Sequence, residues 1–252
     1  MSFMGVEWSI LIPAFIAGIL VLTTHVPLGQ EVLKRGIIFI DLAIAQIAGL
    51  GIIAAHTFGF ELSNWVVQLI ALASAISGAL LLGWVERHFN DALEAFIGVI
   101  FILSATGGLL LLANNPQAGE HLKDILTGQI LWVDNPQLLA LLVVSIVVLL
   151  LRYVLRNHNN NTVFYLIFAI AVTASVQLVG VYLVFSSLII PALATRKINQ
   201  IRKRTIIGFL LGASAYLLGL ILSVVLDLPS GSLIVWALAA VGMFVNVIYR
   251  KV

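Results

Sequence analysis

The chain has 252 residues, 62% of them hydrophobic and only 10% charged, with a net charge of +2 and a mean hydropathy of +1.14. Soluble domains carry roughly 25% charged residues, so this is the composition of a polytopic membrane protein, with no room for a separate soluble catalytic domain. The absence of cysteine excludes disulfides, iron–sulfur clusters and thiolate metal sites, which leaves His, Asp, Glu and neutral oxygen donors for any metal. The cations of a membrane protein collect in cytoplasmic loops for insertion reasons, so they give no sign of nucleic-acid binding.

Residues 8–24 form the first apolar run, with Pro13 about one turn inside it. No cation precedes Lys34 and no small-residue cleavage site follows the run, so it reads as a retained span and not a cleaved leader. A polar connection at 25–36 holds Glu31, Lys34 and Arg35, and a second span at 37–60 is interrupted by Asp41 and Gln46. Short turns at 61–64 and 86–91 bracket a third span at 65–84, and the fourth, 92–112, carries Glu94 in its first turn. The longest polar connection, 114–135, contains a short amphipathic piece at 122–132 predicted to lie on or dip into the interface without spanning. The fifth span, 138–153, ends near Arg152 and Arg156, before an Asn-rich turn.

Residues 163–194 then run for thirty-two positions without a formal charge, and five cations follow between Arg196 and Arg204. One helix of that length would reach roughly 48 Å, against a hydrocarbon core of about 30 Å. The spacing therefore predicts two short helices meeting near residues 177–180. There Gly180 permits a break and Gln177 can satisfy freed backbone groups. Spans at 206–226 and 232–249, joined by the turn 227–231, complete the chain.

Charge bias orients this arrangement. The connections at 25–36, 85–91 and 152–162 carry Lys34, Arg35, Arg87, Arg152 and Arg156, whereas the alternating ones at 56–64 and 114–137 carry only Lys123. With two passes over 163–194, the cluster Arg196–Arg204 and the tail Arg250/Lys251 also fall inside. The expected fold is all-α, a bundle of eight to nine transmembrane segments forming a single membrane domain over 1–252. Its N-terminus lies outside and its C-terminus in the cytoplasm. Small residues along the spans, among them Gly18, Gly49, Gly51, Gly78, Gly208, Gly212 and Gly219, suit close helix packing in lipid.

Ionisable groups within spans are costly and are the first candidates for function. Asp41 reads either as a cation or proton site on a pathway or as an acid paired with Lys34 or Arg35. Gln46 lies about 140° round the helix from it, and a helix–helix hydrogen bond is its plain role. Glu94 reads either as an acid facing a pathway or, more plainly, as one placed at the positive end of a helix dipole. The histidines, His25, His56, His88, His121 and His158, are scattered at segment ends or in connections, with no pair at metal-ligand spacing. His25 and His56 are candidates for receiving or releasing a metal at span ends. No nucleotide-binding or hydrolase motif occurs, so any use of ATP requires another chain.

Several segments together resemble the membrane subunit, or permease, of zinc/manganese/iron-type metal ABC transporters. They are Leu28-Gly29 through Leu33-Lys34-Arg35 to Asp41, and Glu94 with Ile97-Gly98-Val99-Ile100-Phe101. Leu126-Thr127-Gly128-Gln129-Ile130-Leu131 follows, then Val179-Gly180-Val181-Tyr182 with Leu188-Ile189-Ile190-Pro191-Ala192, and finally Asp227-Leu228-Pro229-Ser230-Gly231. They occur in the family's order over nearly the whole chain. The resemblance implies a non-enzymatic permease of a bacterial inner (cytoplasmic) membrane that imports a divalent metal as substrate, zinc by family frequency, with manganese the other choice and no permanently bound cofactor. It implies a homodimer embedded in lipid, with a cytoplasmic ABC ATPase and an extracytoplasmic metal-binding protein as partners. The metal candidates are Asp41, Gln46, His25 and His56.

Two departures stand out. The family places a His four residues after the second-span Asp, where this chain has Ala45. The family's longer coupling segment is replaced by the brief stretch 152–162, which moves the expected ATPase contact to Arg196, Lys197, Arg202, Lys203 and Arg204. The short connection also keeps open an ATP-independent carrier or a non-transporting membrane subunit on the same scaffold.

Overall fold

The computed structural model describes residues 2–3, 6–58, 64–113, 126–155 and 161–249. After a two-residue antiparallel pair, Ser2–Phe3 with Val6–Glu7, these residues form α1 (Trp8–Arg35), α2 (Ile40–Thr57), α3 (Asn64–His88), α4 (Leu93–Leu111) and α5 (Asn135–Val154). Then come α6 (Asn161–Val179), α7 (Val181–Ala194), α8 (Ile201–Leu226) and α9 (Ser230–Ile248). Among the described residues, eight helical segments are long and apolar enough to cross a membrane, and α7 is shorter. The protein is an integral membrane helix bundle. Of the charge-bearing connections, Lys123, Arg156, Arg250 and Lys251 lie outside the described residues, as do His121, His158 and residues 61–63 and 122–125.

Burial grades across the bundle. α1, α2 and α6 are at least half buried, with Tyr165 and Phe168 of α6 fully enclosed, while α4, α5 and α9 present most of their surface outward. Their outward residues, such as Leu103, Leu110, Leu150, Trp236 and Phe244, are apolar, as surfaces meeting hydrocarbon chains must be. Small residues set the closest approaches. Gly18 packs against the ring of Tyr216, Gly29 against the Leu188 backbone, and Gly219 against Ile234. The start of α5 is fixed by a capping box, in which Asp134 Oδ1 accepts from the Gln137 N–H (2.8 Å) and Gln137 Oε1 accepts from the Asp134 N–H (3.1 Å).

Two expectations are corrected. The polar connection at 25–36 is helical almost throughout, because α1 runs on past His25 to Arg35. Val26, Leu28 and Val32 are buried on this extension, and their burial outweighs the backbone hydrogen bond lost at Pro27. His25 is therefore not at a segment end. The predicted break at Gly180 is present, but only one of the helices flanking it is short. α6 starts at Asn161 and reaches 19 residues, whereas α7 has 14 and spans about 21 Å.

The non-helical backbone at this break is covered by the chain before α5. Gly128 and Gly180 both have positive φ, 64° and 80°, and their backbones abut. The Gln129 N–H donates to the Leu178 carbonyl at 3.2 Å. The described part of the amphipathic piece thus penetrates the bundle at this point, with Ile130 buried and Trp132 exposed. Irregular backbone at membrane depth is tolerated only when protein or a cavity satisfies it, and each of these two segments does so for the other.

At the opposite end, Arg35 bonds Asn161 (2.9 Å), Arg87 bonds Thr162, and Thr205 of α8 bonds Gln30 of α1 (3.2 Å). The ends of α1 and α3 and the starts of α6 and α8 therefore share one face. The antiparallel course of α6 and α7 brings Arg196, Lys197, Arg202, Lys203 and Arg204 to the same end as Lys34, Arg35 and Arg87.

Candidate functional site

Asp41 occupies the first turn of α2 and is 1% exposed. Neither carboxylate oxygen has a hydrogen-bond partner among the described residues. The amides of Asp41 and Leu42 lie beside the carboxylate, outside hydrogen-bond geometry. Lys34 and Arg35 do not pair with it, because Arg35 is engaged by Glu31 (3.0 Å) and Asn161 and stacks over Phe164. The plain reading of Asp41 as a near-interface ion-pair member thus has no support in the geometry. The entry to α2 is held instead by Glu94, whose Oε1 accepts from the Phe39 N–H at 3.2 Å. That gives Glu94 a structural task.

One turn beyond Asp41 on the same face, Ala45 lines a cavity of about 330 Å³ between α2, α3, α5, α6 and the segment before α5. Ala48, Gly49 and Ile52 continue the α2 wall, Val67 and Ala71 come from α3, and Thr173, Val176 and Gln177 from α6. Gln129, Trp132 and Gln137 complete the end remote from the basic cluster. A second cavity, of about 190 Å³, adjoins it through Gln137, Thr173 and Gln177 and adds Gln68. Neither lining includes a charged side chain. Position 45 matters because alanine leaves open the space that a larger side chain one turn from Asp41 would fill.

Asp41 itself lines neither cavity, and the other predicted site residues are not brought to them. Gln46 lines another, mostly apolar cavity of about 590 Å³ on the other side of Gly49, formed by α2, α4, α7, α9 and Leu126, with Ser104, Tyr182 and Trp236. His56 is exposed in the last turn of α2, fifteen residues from Asp41, or about 22 Å along the axis. His25 is fully buried in α1, with Nδ1 2.9 Å from the Val21 carbonyl and 3.0 Å from Thr24 Oγ1. Its Nε2 has no partner among the described residues. No three His, Asp or Glu side chains among the described residues gather where they could hold a metal ion.

At the basic end, Arg196, Lys197, Arg202 and Lys203 are exposed. Arg204 is partly withdrawn, with Nη2 3.5 Å from the Ala192 carbonyl at the end of α7. The polar residues that sequence reasoning missed are Gln129, Gln137 and Thr173. The one available signal was the i, i+4 spacing of Thr173 and Gln177, which places both on one face of α6.

Comparison with known proteins accords with this architecture. The family model described as the ABC 3 transport family matches residues 7–163 and 153–250. A protein of Chlamydia trachomatis named "Probable metal transport system membrane protein" is 27% identical over 230 residues, covering 82% of this chain and 78% of its own length. The manganese transport system membrane protein MntC of Halalkalibacterium halodurans is 24% identical, covering 91% of this chain and 84% of its own. Among solved structures, PsaBC of Streptococcus pneumoniae in complex with Fab superposes with a TM-score of 0.75 at 21% identity. It covers 95% of this chain and 91% of that one, and so shares the fold. With the family model matched along almost its whole length, the chain belongs to the ABC 3 transport family.

Proposed function

We propose that residues 1–252 form the permease domain of an ABC importer that carries a divalent metal ion into the cell across a bacterial cytoplasmic membrane. The observation that carries this reading is Asp41. It is a buried carboxylate with no partner among the described residues, one turn beyond the floor of a cavity that lies toward the end remote from the basic cluster. An intramembrane acid held without a counter-charge is costly, and a passing cation relieves that cost. The positive-inside rule puts the basic face in the cytoplasm, the N-terminus outside and the cavity on the outer side.

A cytoplasmic ATPase would then dock against the exposed Arg196, Lys197, Arg202 and Lys203. An extracytoplasmic metal-binding protein would deliver the ion near Gln129, Gln137 and Gln177, and the permease would act as a homodimer. Zinc, the family default, favours nitrogen and sulfur ligands, but no histidine or cysteine lines the cavity and Ala45 stands at the family's imidazole position. Oxygen donors suit manganese better, in keeping with the names of the manganese-transporting relatives.

The test is purification of the tagged chain from its native membrane in mild detergent. A stoichiometric ABC ATPase and ATP-dependent metal uptake by the reconstituted complex are expected. Metal flux without nucleotide and without an ATPase would replace this reading with an ATP-independent carrier.

A further inference from the structure

The hydroxyl of Thr173 is placed differently from those of other helical threonines in the bundle. Thr24, Thr57, Thr106 and Thr205 each turn Oγ1 back onto a carbonyl of the preceding turn, the ordinary resting state of a helical threonine. Thr173 is 4% exposed, lines both of the adjoining cavities, and its Oγ1 has no hydrogen-bond partner among the described residues. A buried hydroxyl left this way is costly unless something in the cavity bonds it.

Three amides converge on the same space. Gln177 is one turn further along α6, Gln137 is held in register by the capping box with Asp134, and Gln129 is anchored by its N–H to Leu178. Gln129 and Gln177 can each present a carbonyl oxygen, Gln137 Oε1 already accepts from the Asp134 N–H and offers only its second lone pair, and none of the three brings a charge. A shell of six waters takes about 180 Å³ at liquid density, so the 330 Å³ cavity admits a cation that keeps its water.

We infer that Thr173, Gln129, Gln137 and Gln177 form an outer binding station for a hydrated, oxygen-preferring divalent cation of the manganese class, upstream of Asp41. This rests on the proposed inward path past Asp41. Neutral dipoles hold such an ion long enough to orient it but release it readily, which conduction through successive sites requires. The carboxylate of Asp41 then draws it inward. The station also gives the missing imidazole a physical consequence, because recognition by oxygen outside and carboxylate inside needs no nitrogen ligand.

The experiment measures the concentration dependence of manganese uptake by the complete transporter reconstituted in proteoliposomes. It compares the wild type with Thr173→Val, Thr173→Ser, Gln177→Leu and Asp41→Asn. Thr173→Val keeps the shape and removes the hydroxyl, so the half-saturating concentration should rise about tenfold with the maximal rate retained. Thr173→Ser should behave as wild type. Gln177→Leu, at an exposed position, should reproduce the rise even if Thr173→Val fails to fold.

Unchanged half-saturation in Thr173→Val, or in Gln177→Leu where the valine variant does not fold, overturns the outer station. An equal defect in Thr173→Ser and Thr173→Val does so too, since it would reflect packing. Wild-type uptake by Asp41→Asn overturns instead the path on which the station depends.

Discussion

Gly128 and Gly180 lie back to back, each with a positive φ, at the point where α6 gives way to α7. A Cβ on either residue would fall inside the backbone of the other segment, which cannot swing aside as a flexible side chain can. Gly180, at φ 80° and ψ 162°, is moreover in a region open essentially to glycine alone, worth about 1–3 kcal/mol of strain for any other residue. This contact closes the broken span at the end remote from the basic cluster.

Gly180→Ala and Gly128→Ala should therefore destabilise the bundle by several kcal/mol, combining strain with backbone displacement, on the order of a core-disrupting substitution. Gly36→Ala is the control. Its φ is 74° but nothing lies within 4 Å of its Cβ position, so only the conformational cost of about 1–2 kcal/mol applies. Thermal unfolding in detergent should rank Gly36→Ala well above the other two. Equal melting temperatures would mean that the contact carries little.

The number and approximate ends of the spans were legible in the sequence, because lipid requires about 20 apolar residues per helix. The break at Gly180 was legible because thirty-two uncharged residues are too many for one span. The continuation of α1 through His25 and Pro27 was not. Those residues read as a polar connection, and only the packing of Val26, Leu28 and Val32 against distant helices makes them helical and buried. Asp41 stood out as an acid inside a span. The polar lining opposite it did not, since Gln129, Gln137, Thr173 and Gln177 come from three separate segments and each passes alone as a surface amide or helix-bound hydroxyl.

The core holds one buried hydrogen bond between α7 and α8, shared by the hydroxyls of Ser187 and Tyr216 with Oγ and Oη 2.8 Å apart. Tyr216→Phe strands the serine hydroxyl and should cost roughly 1–2 kcal/mol. Ser187→Ala should cost a similar amount. The double variant should lose less than the sum, as members of one bond do, and unfolding of the four proteins in a double-mutant cycle measures the difference.

Ala45→His would place an imidazole one turn from Asp41, in space the cavity already provides. Carboxylate and imidazole together suit zinc, so the ratio of zinc to manganese uptake should rise about tenfold. An unchanged ratio would detach metal choice from this face of α2.

At the basic end, Arg202 and Lys203 are exposed while Arg204 leans on the end of α7. Arg202→Glu with Lys203→Glu should leave the fold intact and lower ATPase co-purification and ATP-dependent uptake by about tenfold or more, as charge reversal at a complementary surface does. Full coupling in that variant would move the docking surface elsewhere.

The most direct measurement is metal uptake by the reconstituted transporter carrying Asp41→Asn. The substitution keeps the size of the side chain and removes the charge. The complex is expected to assemble, hydrolyse ATP and fail to move manganese. Manganese uptake at the wild-type rate by a correctly assembled Asp41→Asn complex would contradict that expectation.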